Sequence, residues 1–384
     1  MKVLYIFSSY SNHCPYFQQW LSELIKPKYF QQEIGMVFRL EGSVSNLPQF
    51  EHITYFPFKE SKSQYASFQA ILNRISIYKL TTRLQTFDSD LIHLHGCYST
   101  LMAKITFSLR GKLIFNVWGN DFNTLYFKSK KYERIFLRLF TRSKFILANW
   151  HLMAEAIARE IPHLKNKIIT IPWGIEIGFY SLVKSIDEQP LKSKLGIEHK
   201  TLVVSSMKGA VPNSNLDTMV RSIAHLNDFP NLKFILHAAV GEERYLTQLQ
   251  NLVNSLQLQD KVIFSRTKLS ENDYVALMKI TDIALILPSK DQFTRTIFEA
   301  IVANCNLILS DIPPYRDLPD LFGSEIPLIN PRSDLELSEN IRSLILKLNH
   351  NNKSDKMMNV LKDKFQFELQ IDKIFSLYEL ALRQ

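Results

Sequence analysis

The chain has 384 residues, roughly twice what one compact core usually holds, so two domains are expected. Hydrophobic residues make up 46% and charged residues 22%, a balance that excludes a disordered chain. The net charge of +9 favours anionic partners, but no zinc-ligand spacing or RNP-like aromatic motif accompanies it, so nucleic acid is not expected.

From the N-terminus, MKVLYIFSSYSN reads as a first β-strand. Its apolar run is too short for a signal peptide, and no stretch of about 18 apolar residues follows anywhere. A cytoplasmic protein is expected. The widely spaced Cys14, Cys97 and Cys305 form no CxxC and no paired framework, and read as reduced thiols.

Short apolar runs then alternate with helical patterns. Strands are expected over residues 3–7, 34–40, 53–58, 91–95, 113–118, 145–148 and 168–172, then over 202–206, 232–237, 262–265, 283–287 and 307–310. Helical stretches separate most of them, at 17–25, 66–84, 216–226, 242–256 and 272–280. This alternation predicts an α/β protein with parallel sheets and helices on both faces, and so many strands are better served by two doubly wound sheets than by one. The polar stretch 178–200, GFYSLVKSIDEQPLKSKLGIEHK, lacks strand character and marks the break between them. The expected domains are therefore 1–180 and 200–365. Residues 366–384 are expected to form a helix that packs back on the first domain.

Between the strands expected at 113–118 and 145–148 lies the segment KSKKYERIFLRLFTRSK, residues 128–144. It carries Lys128, Lys130, Lys131, Arg134, Arg138, Arg142 and Lys144 against Glu133 alone. Arg134, Arg138 and Arg142 recur at i, i+4 and i+8, which places them along one helix face. Such a face suits an anionic membrane surface; the other reading is an ordinary solvated basic face.

In doubly wound sheets ligands lie beyond the carboxyl ends of the strands, so the strand-end loops carry the functional reading. The richest is 283–311, IALILPSKDQFTRTIFEAIVANCNLILSD: a buried strand, a polar loop, a helix starting near Thr294, and a second buried strand. A helix start offers unpaired amides and the positive dipole end, which suit phosphate, and Arg295 adds a forked cation there. Asp291 and Glu299 can face one pocket and accept hydrogen bonds from sugar and ribose hydroxyls. The competing reading of Thr296-x-x-Glu299 is a capping box that only ties down the helix. In LVVSSMKGAVPNSNLDTMV, Lys208 follows a strand and Asn215 precedes a helix; the lysine can meet a diphosphate or be an ordinary surface residue.

In the first half, His93 and His95 share one face of a strand end, but no third ligand is evident nearby and no metal is expected. Trp118-Gly119-Asn120-Asp121 and Trp173-Gly174 end two further strands, where the indoles are either sugar platforms or core. GxGxxG, GxxxxGK[ST] and GxSxG are all missing, which argues against dehydrogenase, P-loop and serine-hydrolase readings.

Together these segments resemble the large retaining GT-B glycosyltransferase family, usually called family 4, that includes sucrose synthases and many bacterial polysaccharide and lipopolysaccharide glycosyltransferases. The family's E-x7-E element with EAxAxGxPVVxSD is similar to Asp291-x7-Glu299 with EAIVANCNLILSD, and its DxxxxPS strand to DIALILPS. LIHLHG, WGND and IPWGIE resemble its DxxHxHG, WGxD and PxGxD elements. The resemblance implies a GT-B fold, two Rossmann-like domains facing a central cleft. It also implies a nucleoside-diphosphate-sugar donor on the C-terminal domain, a glycan or lipid-linked acceptor on the N-terminal domain, no metal cofactor, and transfer with retention.

By the same resemblance Glu299 holds the ribose, Asp291 touches the sugar, and the 294–296 amides (Thr294 to Thr296) take the distal phosphate. Lys208 and Arg295 share the diphosphate, with Arg266 and Asn215 beside the donor. The acceptor falls to Asn12, His13, His95, Trp118, Asp121 and Trp173. The chain departs from the family at Asp291, where the family has Glu, and in lacking the Arg-x4-Lys phosphate clamp, at whose place Lys208 stands with Arg266 as a substitute. An inverting transferase, a nucleotide-sugar 2-epimerase and an inactive sugar-binding relative remain alternatives.

Overall fold

The computed structural model describes residues 1–11, 15–39, 47–58, 66–119, 121–239, 241–267, 269–347 and 355–383. They form two compact units, residues 1–172 with 370–384, and residues 173–369.

The first unit is built on β1 (Lys2–Ser11), α1 (Pro15–Leu24), β2 (Glu33–Arg39), β3 (Ile53–Phe58), α2 (Ala66–Phe87), β4 (Leu91–His95) and α3 (Thr100–Ser108). It continues with β5 (Lys112–Val117), α4 (Lys130–Arg142), β6 (Ser143–Ala148), α5 (His151–Glu160) and β7 (Ile168–Thr170). The seven strands lie in the order β3-β2-β1-β4-β5-β6-β7, all parallel. Leu4, Ile6, Ile92, Leu94, Phe115 and Ile146 are buried and pack against Met102, Phe136 and Phe140 of the covering helices. Such near-continuous apolar strands are what a sheet covered on both faces requires.

The second unit begins with two helices, α6 (Ile177–Ser185) and α7 (Gln189–Leu195), made from the stretch expected to be a polar break. Pro190 stands in the first turn of α7 and Gly196 closes it at φ +65°, a pairing that starts and stops a helix well. Then come β8 (Leu202–Ser206), α8 (Leu216–Ile223), β9 (Leu232–His237), α9 (Glu243–Ser255), β10 (Val262–Ser265) and α10 (Glu271–Ile280). They are followed by β11 (Ile283–Ile286), α11 (Arg295–Val302), β12 (Asn306–Ser310), α12 (Leu318–Phe322) and β13 (Leu328–Ile329). The helices α13 (Asp334–Lys347), α14 (Asp355–Lys364) and α15 (Phe367–Arg383) end the chain, and α15 is divided between the units. The strands run parallel in the order β10-β9-β8-β11-β12-β13.

Each sheet reverses its strand order beside its first strand, between β1 and β4 and between β8 and β11. These are the points where the carboxyl ends of doubly wound strands leave a crevice. Among the described residues no helix is long and apolar enough to cross a membrane.

Candidate active site

In the second unit the crevice lies between the segments that leave β8 and β11. The loop after β11 is fastened on two sides. Asn213 accepts from Lys290 N at 3.1 Å, donates to Lys290 O at 2.8 Å, and its own carbonyl accepts Ser289 N at 2.8 Å. Asn215, at φ +50°, donates its amide to Leu287 O at 2.7 Å and to Ser289 Oγ at 2.9 Å. The Asn215 side chain thus joins the start of α8 to this loop.

So held, the loop brings Asp291 to Lys208, with Nζ 2.6 Å from Asp291 Oδ2 and each side chain about a fifth exposed, at 20% and 23%. Lys208 Nζ also donates to Thr294 Oγ1 at 3.0 Å. Asp291 Oδ2 accepts from the buried Tyr315 hydroxyl at 2.8 Å, and burial followed by the Asp291 charge raises the Tyr315 pKa far above its ordinary value. Thr294 is the N-cap of α11; Ile297 N donates back to Thr294 O at 3.3 Å, and the Arg295 and Thr296 amides are the first-turn donors that a helix leaves without an intrahelical partner. A cation with one N–H left over, a carboxylate and a row of amides therefore converge at one helix start.

Arg295, the first residue of α11, is held between two carboxylates. Its Nε donates to Glu299 Oε1 at 2.8 Å and its Nη1 to Glu176 Oε1 at 2.7 Å. Glu299 Oε2 accepts from Tyr274 OH at 2.8 Å. Burial works to lower the Arg295 pKa, but Glu299 and Glu176 outweigh it and raise it. Burial pushes the Glu176 carboxyl up against the pull of Arg295. Glu299 does not act as a capping-box partner of Thr296: the helix starts two residues earlier, with Thr294 at the N-cap, and the Glu299 carboxylate meets side chains. Thr296 Oγ1 accepts a long 3.4 Å contact from Thr294. Arg266, after β10, is half-exposed, with Glu243 4.0 Å away.

Glu176 reaches this site because Gly174 lets two backbones touch. A Cβ on Gly174 would lie 2.3 Å from Phe367 Cα. Ile175 N donates to Phe365 O at 2.7 Å and Phe367 N to Ile175 O at 3.0 Å, fixing the segment that carries Glu176. Trp173, beside it, is 8% exposed.

In the first unit, His93 and His95 share a face, with ring centroids 3.9 Å apart, and both are fully buried. Burial lowers the His93 pKa to about 3, and burial together with His93 lowers that of His95 well below its ordinary value. His93 Nδ1 is paired with Tyr378 OH, while His95 stacks on Phe7 at 4.6 Å. Among the described residues no cluster of three or more His, Cys, Asp or Glu could hold a metal.

Trp118 is buried at 7% exposure, edge-on to His95 and Tyr98. Asp121 is wholly buried and works as a staple: its carboxylate accepts the backbone N–H groups of Trp118, Gly119 and Phe122 on Oδ1 and of Cys97 on Oδ2. Burial pushes its carboxyl up to about 6 against these four donors. The loops after β4 and β5 are thereby joined, with Gly119 at φ +107° making the turn. Asn12 and His13 lie outside the described residues.

Glu176, Tyr274 and Tyr315 escaped the sequence reading. Glu176 stood inside the IPWGIE segment, but its partner is 119 positions away and no local pattern links them.

Residues 187–359 match the model of the glycosyl transferases group 1. No curated protein matches the sequence. Several solved structures share the fold along the whole chain. A glycosyltransferase from Rickettsia africae is 12% identical, with 100% of this chain and 99% of that chain covered at a TM-score of 0.77. HepE from Anabaena, solved with UDP and glucose, is 19% identical, with 99% of each chain covered at a TM-score of 0.75. A UDP-forming α,α-trehalose-phosphate synthase from Burkholderia xenovorans is 12% identical, with 100% and 98% covered at 0.76. The fold is GT-B. The group 1 glycosyl transferase match lies within the second unit and covers less than half of the chain.

Proposed function

We propose that the chain moves a sugar from a nucleoside-diphosphate-sugar donor to a glycan or lipid-linked acceptor, with retention of configuration, in the synthesis of a cell-surface glycoconjugate. The observation that carries this reading is the convergence of Lys208, Asp291 and Thr294 at the N-terminus of α11, in the crevice between β8 and β11. A phosphate placed there meets helix amides, the positive dipole end and the remaining Nζ–H of Lys208. Asp291 is close enough to that phosphate position to accept from a sugar hydroxyl, and Tyr315 donates to the same oxygen, Oδ2, that Lys208 meets. HepE, the similar Anabaena protein, was solved with UDP and glucose, which supports a nucleotide-sugar donor for this chain.

In the reaction the bond from the sugar's anomeric carbon to the diphosphate oxygen breaks, and the acceptor hydroxyl forms its bond on the same face. Its proton passes to the departing diphosphate. Negative charge grows on the distal phosphate, where Lys208 and the α11 amides stabilise it, so no metal is required. Arg295 lies between two carboxylates and acts by holding Glu299, which receives the ribose. We assign the acceptor to the strand-end loops of the first unit, supported from beneath by His95, Trp118 and Asp121.

Lys128, Lys130, Lys131, Arg134 and Arg138 are exposed together with Phe127, which is 58% exposed. This mixture of basic and apolar groups suits the surface of an anionic membrane, where a lipid-linked acceptor would be found.

Thermal-shift titration with UDP-, GDP-, ADP- and CMP-linked sugars tests the donor assignment, because a ligand of the folded state raises its melting point. One donor should stabilise the wild type and stabilise Glu299→Ala far less. Equal stabilisation of both proteins would place the donor elsewhere.

A further inference from the structure

We infer that Glu176 is a positioning residue of the donor site: it holds one arm of the Arg295 guanidinium, so that Arg295 supports Glu299 without closing over it. The inference rests on the proposed donor reading, in which Glu299 receives the ribose. Arg295 presents a planar fork of five N–H groups, and such a fork tends to close bidentately on a single carboxylate. Here it is divided. Nε goes to Glu299 Oε1 at 2.8 Å and Nη1 to Glu176 Oε1 at 2.7 Å. Glu299 therefore keeps lone pairs on both oxygens, with Tyr274 fixing the second at 2.8 Å.

Two carboxylates share one guanidinium in a place where all three side chains are about one-fifth exposed or less, at 19%, 21% and 10% for Arg295, Glu176 and Glu299. Glu176 Oε2 is buried and has no hydrogen-bond partner among the described residues. Two carboxylates on one guanidinium leave a net negative charge among largely buried side chains, which is unfavourable for the fold alone. Glu176 is also anchored elaborately: the Gly174 contact and the paired hydrogen bonds between Ile175 and residues 365 and 367 place it. Both facts fit a residue kept for the arrangement of its neighbours. Without Glu176, the Arg295 fork can turn fully onto Glu299 and occupy the positions a ribose diol would take.

The probes are uridine, guanosine and adenosine diphosphates, measured by calorimetry, followed by the 2′-deoxy and 3′-deoxy forms of whichever binds most tightly. In the wild type, loss of a hydroxyl bonded to a charged group should weaken binding about ten- to hundredfold. Glu299→Gln should reduce that ribose preference to about twofold or less, and Glu176→Gln should do the same although Glu176 does not itself receive the ribose. A merely structural residue would weaken ribo- and deoxynucleotides alike and leave their ratio unchanged. If Glu176→Gln proves too unstable, Glu176→Asp, whose carboxylate falls short of Arg295, is read in the same way.

A ratio lost in Glu299→Gln but kept in the Glu176 variants overturns this inference and leaves the donor reading intact. A wild type that binds none of the three nucleotides, or prefers none over its deoxy forms, overturns both.

Discussion

At the scale of single residues, the site pairs each functional charge with an opposite one. Lys208 faces Asp291, and Arg295 faces Glu299 and Glu176. Lys208, beside the start of α11, keeps one of its three N–H groups for a ligand. Its contribution should therefore grow as the diphosphate departs, so Lys208→Ala should lower kcat by roughly 100- to 1000-fold and change the donor KM far less. A change confined to KM would mean that Lys208 serves ground-state binding only. Asp121 makes the opposite kind of prediction. Asp121→Asn replaces an acceptor of four backbone N–H groups with a group that is half donor, and should destabilise the fold by about 2–4 kcal/mol in urea unfolding. Stability within about 0.5 kcal/mol of the wild type would show that the staple is dispensable.

The buried histidines set a pH limit of known sign. Each ionises near 6.5 in the unfolded chain, whereas His93 is held down to about 3 and His95 also far below, both by burial. Unfolding thus takes up protons, and the stability these residues share is present above pH 6.5 and lost as pH falls toward 3. Asp121, raised to about 6, works the other way with one proton against two. The net loss between pH 7 and pH 5 should be about 2–3 kcal/mol. Replacing His95 with Phe should flatten that slope. An unchanged slope would locate the titration elsewhere.

At the scale of elements, α4 shows where periodicity misleads. Arg134, Arg138 and Arg142 recur every four residues, but a helix turns once in about 3.6, so the third lies about 80° round the axis from the first. Arg142 accordingly points inward and donates to the carbonyls of Thr106, Leu109 and Gly111, closing the carboxyl end of α3. Arg138 lies over the Phe107 ring at 4.3 Å. Charge reversal at Lys131 and Arg134 should thus abolish salt-sensitive co-sedimentation with anionic vesicles, because each cation near such a surface contributes about 1 kcal/mol. Arg142→Ala should leave vesicle binding unchanged and lower the melting point instead. Equal binding to neutral vesicles would remove the membrane proposal.

The helix α11 shows the reverse case. Strand, polar loop and helix were all legible from residue 283 onward, because a buried apolar run and a dense polar loop need no distant partner to be recognised. What Glu299 binds was not legible. The capping-box spacing is real, yet the chain enters the helix two residues before Thr296, and Tyr274 and Arg295 take the carboxylate.

At the scale of the molecule, the alternation of apolar strands with amphipathic helices was enough to read two doubly wound sheets. Residues 3–7, 91–95 and 203–206 are all buried, and burial on both faces leaves a continuous apolar signal. The two-residue β13 was invisible, since its two residues carry no period. The stretch 178–200 was read by its polarity, although Pro190 and Gly196 mark the ends of α7 plainly. The site was legible where its groups sit directly on strand-end loops, as with Lys208 after β8 and Asp291 and Thr294 after β11. It was illegible where long-range packing supplies them, as with Glu176, Tyr274 and Tyr315.

The central claim, retaining transfer of a sugar from a nucleoside-diphosphate donor, is tested most directly by proton NMR of the reaction as it proceeds. With the donor that stabilises the protein and an acceptor glycan, the first-formed product should carry the donor's anomeric configuration, and Lys208→Ala should form it far more slowly. A first-formed product of inverted configuration, or a donor that is neither transferred nor hydrolysed, would contradict the account.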